Sequence, residues 1–132
     1  MHRAVYSCSG KISITPATCD RGHGNAQVRS DDAVGATTRE VPCIPLDDFA
    51  VGHPPPDVVK VDVEGAESEV LKGAEQLFGR GEPVLLCEVH DGEQRRAVEG
   101  WLDEHSYSWH WLEQDERWPR HRFAFPQQRR GT

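Results

Sequence analysis

The stretch Val58-Val59-Lys60-Val61-Asp62-Val63-Glu64-Gly65-Ala66-Glu67 decides the architecture. Val58 to Val63 is a β-branched run broken only by Lys60 and Asp62, the composition of a strand buried on both faces of a parallel sheet. Lys60 is expected to snorkel to the sheet edge or to pair with an acid. Behind the run, Ala66, Val70, Leu71, Ala74, Leu77 and Phe78 recur at helical spacing. That spacing predicts one amphipathic helix, with Glu64, Glu67 and Glu69 favourable to its dipole and Gly79 at its C-cap.

Downstream, Val84-Leu85-Leu86-Cys87 is a second apolar run that leads into Glu88-Val89-His90. Asp91 with Gln94 makes a capping-box-like start for a helix whose apolar face is Ala97, Val98, Trp101 and Leu102. Strand, helix, strand and helix with such short connections imply a right-handed βαβ unit holding two neighbouring parallel strands. Tyr107, Trp109 and Trp111 then alternate with Ser108 and His110, and Phe123 and Phe125 alternate after a polar turn. These predict a closing antiparallel hairpin. The same spacing assigns Trp101 to a helix core and Trp109 with Trp111 to a strand face, rather than to a sugar-stacking set with Trp118.

Upstream, Ala4 to Tyr6 and Ile12 to Thr15 read as a short hairpin turning at Ser9-Gly10. Residues 16–40 lack apolar periodicity and read as a variable loop. Gly22-His23-Gly24 lies within it, but Gln27 stands where a dinucleotide fingerprint needs its third glycine. Val41 to Phe49 is a short extended run containing Asp47-Asp48, and Gly52 to Pro56 is a rigid link. The chain therefore divides into a hairpin and loop at 1–40, a patterned unit at 41–126 and a basic tail at 127–132.

The bulk properties narrow the functional classes. The formal charge of −7, from 22 acidic and 15 basic residues, argues against nucleic acid or an anionic membrane as partner. Arg117, Arg120, Arg122, Arg129 and Arg130 cluster near the end and are expected to be solvated. A hydrophobic share of 36% in 132 residues is lean for one domain, so that much of the chain is loop and part of the core is expected from outside it. Cys8, Cys19, Cys43 and Cys87 form no Cys-x-x-Cys, which excludes a zinc knuckle and a thioredoxin-like motif and predicts buried free thiols. No run approaches the roughly 20 apolar residues of a membrane span, which points to a soluble cytoplasmic protein.

Ligands of open parallel α/β sheets bind beyond the carboxyl ends of the strands. One strand ends there at Asp62-Val63-Glu64 and its neighbour at Glu88-Val89-His90. Residues two apart on extended backbone point the same way, so three carboxylates and an imidazole can converge. Such a set can hold a hard divalent cation through oxygen, with Asp62 and Glu88 as the metal ligands, or provide a general base. The plainer reading keeps Glu64 and Glu67 as complements to a helix N-terminus, Asp62 as its cap, and Glu88 and His90 as loop residues.

Leu46-Asp47-Asp48-Phe49, the block Val59 to Glu67, Val70-Leu71-Lys72-Gly73-Ala74 and Leu85-Leu86-Cys87-Glu88 resemble, in order, the successive blocks of FkbM-type methyltransferases, over about residues 41–126. The resemblance implies an α/β fold of the Rossmann-like class I methyltransferase kind, its sheet closed by an antiparallel hairpin. It further implies S-adenosylmethionine as cofactor and O-methylation of a sugar or another small-molecule hydroxyl. The family's glycine-rich loop and its following acidic residue have no counterpart in this sequence. The chain is therefore expected to be the C-terminal half of that domain, with the cofactor-binding residues unassigned.

On this reading Asp62 or Glu64 is the base or metal ligand, and Glu88 and His90 are supporting catalytic groups. Two other classes stand beside it. One is a non-catalytic fragment that associates with itself or with a complementing polypeptide at an open sheet edge. The other is a metal-dependent glycosyltransferase built on Asp62-Val63-Glu64.

Overall fold

The computed structural model describes residues 3–15, 27–28, 38–81 and 83–127. In chain order the elements are β1 (Ala4–Val5), β2 (Gly10–Thr15), β3 (Gln27–Val28), β4 (Arg39–Ile44), α1 (Leu46–Ala50), β5 (Val58–Val61), α2 (Glu67–Lys72), α3 (Glu75–Gly81), β6 (Val84–Val89), α4 (Gly92–Glu104), β7 (Tyr107–Trp111) and β8 (Arg120–Pro126). The fold is mixed α/β. Among the described residues it has two four-stranded sheets, of order β1-β4-β2-β3 and β5-β6-β8-β7.

The second sheet carries the patterned unit. β5 and β6 are parallel neighbours, with Val58 opposite Val84 and Val61 opposite Cys87. β8 runs antiparallel to both β6 and β7, so the expected closing hairpin forms. Leu85, Cys87 and Val89 of β6 are wholly buried, and Val84, Leu86 and Glu88 between them are only half-buried. The buried side meets Leu71, Phe78, Val98 and Leu102 of the helices in one core. Phe78 lies edge-on to Trp101 at 5.1 Å and to Tyr107 at 5.7 Å, and the Tyr107 hydroxyl donates to the Pro83 carbonyl at 2.8 Å. A buried aromatic hydroxyl with a partner avoids the penalty of a desolvated polar group.

Burial on both faces is not what β5 shows. Val58 is 60% exposed and only Val61 of the strand is buried. Among the described residues β5 is an edge strand, with β6 on one side and no strand on the other. Lys60 follows suit, exposed and paired with Asp62 at 2.9 Å.

The single helix predicted from Ala66 to Phe78 is two. The chain turns at Gly73-Ala74, and Gly79 lies inside α3 rather than capping the helix. The break has a local cause. A Cβ at Gly73 would stand 2.3 Å from the Tyr6 carbonyl oxygen and 3.2 Å from the Ser7 Cα, so the N-terminal segment crosses directly over this glycine. α4 starts as expected, with the Asp91 carboxylate accepting from the N–H groups of Glu93 and Gln94, both at 2.8 Å. The Gln94 side chain does not reach back. Its oxygen accepts from the Ser68 N–H at 3.0 Å and ties α4 to α2.

The expected N-terminal hairpin is also replaced. β1 and β2 do not pair with each other; both pair with β4, β1 in parallel and β2 antiparallel, so that Cys43 faces Ala4 on one side and Gly10 on the other. The pairing energy of β4 outweighs the local Ser9-Gly10 turn because it satisfies the backbone of both strands at once. Most of the loop predicted over 16–40, and the tail from residue 128 onward, lie outside the described residues.

Candidate functional site

The site is built where β5 and β6 end. Asp62 follows β5 immediately, and after Val63 the backbone turns sharply, with Glu64 at φ 54° and Gly65 at φ 97°. Left-handed backbone is cheap for Gly65 but costs a residue with a Cβ about 1 kcal/mol or more. Glu64 holds that conformation with its carboxylate directed at His90.

His90, one residue beyond β6, is the centre. Its Nδ1 lies 2.5 Å from Glu67 Oε1. Its Nε2 lies 3.1 Å from Glu64 Oε2 and 3.3 Å from Glu88 Oε1, yet is not aligned for a hydrogen bond to either. Glu67 is wholly buried; its Oε1 also accepts from the Gly65 N–H at 3.0 Å, and its Oε2 has no hydrogen-bond partner. Burial disfavours the charged imidazole, but the Glu67 hydrogen bond and the charges of Glu67, Glu64 and Glu88 outweigh it and raise the His90 pKa above its ordinary value.

The network extends along the sheet. His121 on β8 stands opposite Glu88 in register, and its Nε2 is 3.1 Å from Glu88 Oε2. The other ring nitrogen, Nδ1, meets Glu113, whose second oxygen accepts from the His121 backbone N–H at 2.8 Å. The hydrogen bond that the ring donates to Glu113 is the main reason that the His121 pKa is raised.

The four residues singled out from sequence, Asp62, Glu64, Glu88 and His90, are thus brought together. Ligand atoms of Asp62, Glu88 and His90 lie within 4.8 Å of one another, close enough to share a cation. Three participants were missed. Glu67 was assigned only to the helix dipole, and its position three residues after Glu64 was the one available hint. His121 and Glu113 carry no local signal; only the pairing of β6 with β8 brings them to Glu88.

The basic end is not a solvated patch throughout. Arg122 is 1% exposed and Arg120 8%. Arg122 lies 3.8 Å above the Trp109 ring and 3.3 Å above the Trp111 ring, with Glu99 of α4 as its ion-pair partner. Arg120 lies 4.0 Å above Trp111. Alternation along β8 turns both arginines towards the aromatic face of β7, where guanidinium planes stack well. Burial lowers the Arg122 pKa to about 10. Arg117 is exposed and pairs with Asp115 at 2.9 Å; Arg129 and Arg130 lie outside the described residues. Of the cysteines, Cys43 and Cys87 are buried free thiols as expected, whereas Cys8 is exposed and Cys19 lies outside the described residues. No helix among the described residues is long and apolar enough to cross a membrane.

A family model described as the methyltransferase FkbM domain matches residues 5–114. No curated protein matches the chain. Among solved structures, the crystal structure of methyltransferase FkbM from Methylobacillus flagellatus KT is similar at 20% identity and a TM-score of 0.49, over 65% of this chain. The similarity spans 23% of that protein's chain.

Proposed function

Since the chain belongs to the FkbM methyltransferase domain family, we propose that it takes part in S-adenosylmethionine-dependent methylation of a hydroxyl on a sugar or another small molecule, and that it supplies the side of the centre that faces the acceptor. The observation that carries this reading is the convergence of Asp62, Glu64, Glu88 and His90 at the carboxyl ends of two neighbouring parallel strands. The order β5-β6-β8-β7, parallel and then antiparallel, supports taking this unit as the C-terminal part of a Rossmann-like class I methyltransferase sheet.

The donor set suits the charged end of such a cofactor, because a sulfonium is a cation and the cluster is rich in carboxylates. When bound, S-adenosylmethionine supplies the electrophilic methyl group. Asp62 and Glu64 then stand where they can orient the acceptor hydroxyl and receive its proton, so that the oxygen gains a methyl group as it loses hydrogen. Glu88 and His90 support that carboxylate pair, with Glu67 fixing the imidazole. A glycine-rich loop that could cradle the rest of the cofactor is not found among the described residues.

We assign that cradle to a complementing polypeptide, and the open side of β5 to a partner, either that polypeptide or another copy of the chain. The same edge favours the alternative reading, a module that associates without catalysis. A cytoplasmic location, with no nucleic acid or membrane as partner, belongs to this proposal.

Calorimetric titration of the folded chain with S-adenosylmethionine, with its association state followed by light scattering, tests the reading. Saturable binding that Asp62→Asn weakens is the expected result. Saturable binding that Asp62→Asn leaves unchanged would overturn the placing of this cluster at the charged end of the cofactor, and no binding by the folded chain would overturn its acting without a complementing polypeptide.

A further inference from the structure

We infer that Asp62, Glu88 and His90 form a site for one first-row divalent cation, with Glu67 as the residue that positions His90. The inference deepens the acceptor-side reading of this cluster and rests on it only for the chemical purpose of the ion.

The argument starts from His90. A histidine that donates its Nδ1 hydrogen to a carboxylate presents the lone pair of Nε2, the arrangement that orients imidazole ligands in metal centres. Here the acceptor is Glu67, at 2.5 Å and wholly buried. Nε2 is closed off from solvent, has no hydrogen-bond partner, and lies 3.1 Å and 3.3 Å from the oxygens of Glu64 and Glu88. A lone pair set against two carboxylate oxygens is repulsive; a proton on Nε2 would be aligned with neither oxygen, whereas a cation between them would meet all three atoms. Glu67 adds an independent sign of unmet charge. Its carboxylate is directed into the cluster, yet Oε2 is buried without any hydrogen-bond partner, an arrangement that native interiors rarely leave uncompensated.

Size and chemistry agree. Ligand atoms about 2.1 Å from an ion lie at most about 4.2 Å apart across it, so a set already within 4.8 Å needs only sub-ångström side-chain shifts to close on one. The Lys60 ammonium, 2.9 Å from Asp62, is the competing countercharge, but its side chain is 57% exposed and therefore easily displaced into water. Carboxylate oxygens suit magnesium, calcium and manganese, while imidazole suits the first-row transition metals. Mn2+ satisfies both preferences and is the probe of choice. A bound ion would also lower the pKa of an acceptor hydroxyl that coordinates it, adding to the proton acceptance of Glu64.

Electron paramagnetic resonance of Mn2+ titrated into the 132-residue chain tests the site in the absence of S-adenosylmethionine. The expected result is one saturable ion per chain, with affinity reduced at least about tenfold by Asp62→Asn and by His90→Gln, and by about tenfold in Glu67→Gln. Asp115→Asn, in an exposed pair with Arg117, should leave binding unchanged. Absence of saturable binding to folded wild-type protein would overturn the proposal, as would unaltered binding in both Asp62→Asn and His90→Gln. Asp62 lies at the surface, so its variant retains the fold and a loss of binding there reports a lost ligand. Because cofactor and metal are read separately, failure of one titration does not decide the other.

Discussion

The carboxylate of Asp47 caps a helix to which it does not belong: its two oxygens accept from the backbone N–H groups of Gln76 at 3.0 Å and Leu77 at 2.8 Å, the second and third residues of α3. Ala74, which precedes α3 and is wholly buried, has no side chain able to do so. In return the Asp47 N–H donates to the Gly73 carbonyl at 2.8 Å. Asp47→Ala should therefore cost about 1–2 kcal/mol, the range of a lost N-cap. Urea denaturation checks it, and an unchanged midpoint would show that water replaces the cap.

Gly73 fixes how the N-terminal segment lies on the helices. Its φ of −83° is open to any residue, so the cost of Gly73→Ala is steric alone. With the Tyr6 carbonyl 2.3 Å from the added Cβ, backbone has to move, at about 1–3 kcal/mol. Thermal unfolding should show a clearly lower Tm, accompanied by loss of amide protection at Tyr6, whose N–H donates to the Ile44 carbonyl at 3.1 Å.

Arg122 gives a contrast between two substitutions. Arg122→Ala leaves Glu99 with Arg95 as its ion-pair partner, at 3.1 Å, and opens the space beside Trp109 and Trp111, for a loss of about 2–5 kcal/mol, mostly from the emptied space. Arg122→Met fills the same space without a charge and, paired with Glu99→Gln, should restore most of the stability. If the double variant is as unstable as Arg122→Ala, the guanidinium contributes more than packing and charge balance.

The pH dependence follows from His121. Its pKa is raised, chiefly by the hydrogen bond with Glu113. A raised folded value means that the interaction contributes stability fully below the unfolded pKa of about 6.5, and that this contribution is lost as pH rises through the folded value. In metal-free protein the stability gap between wild type and His121→Gln should therefore be widest on the acid side of neutrality and close in alkaline buffer. A gap that widens with rising pH would reverse the assignment.

Local periodicity carried the second sheet. β5, β6, α4 and the β7-β8 hairpin formed where the valine run, the Asp91 cap and the alternating aromatics required them, since each signal lies within a few residues. The convergence of Asp62, Glu64, Glu88 and His90 followed from the same reasoning, because parallel neighbours end together.

What was illegible depended on segments far apart in the chain. The break at Gly73 comes from Tyr6, and the cap of α3 from Asp47. The recruitment of His121 and Glu113 comes from strand register, and the burial of Arg120 and Arg122 from the aromatic face of β7. Hydrophobic pattern is blind to such pairings, because either partner alone reads as ordinary surface.

The place of β4 between β1 and β2 bears on the birth of the fold. During synthesis both flanking strands leave the ribosome well before the segment that joins them, and neither has the other as a neighbour. β2 can meet β3 first, but β1 waits for a latecomer, and β4 acts as a keystone: it joins β1 to the β2-β3 pair when it arrives, and its withdrawal would part the two sides.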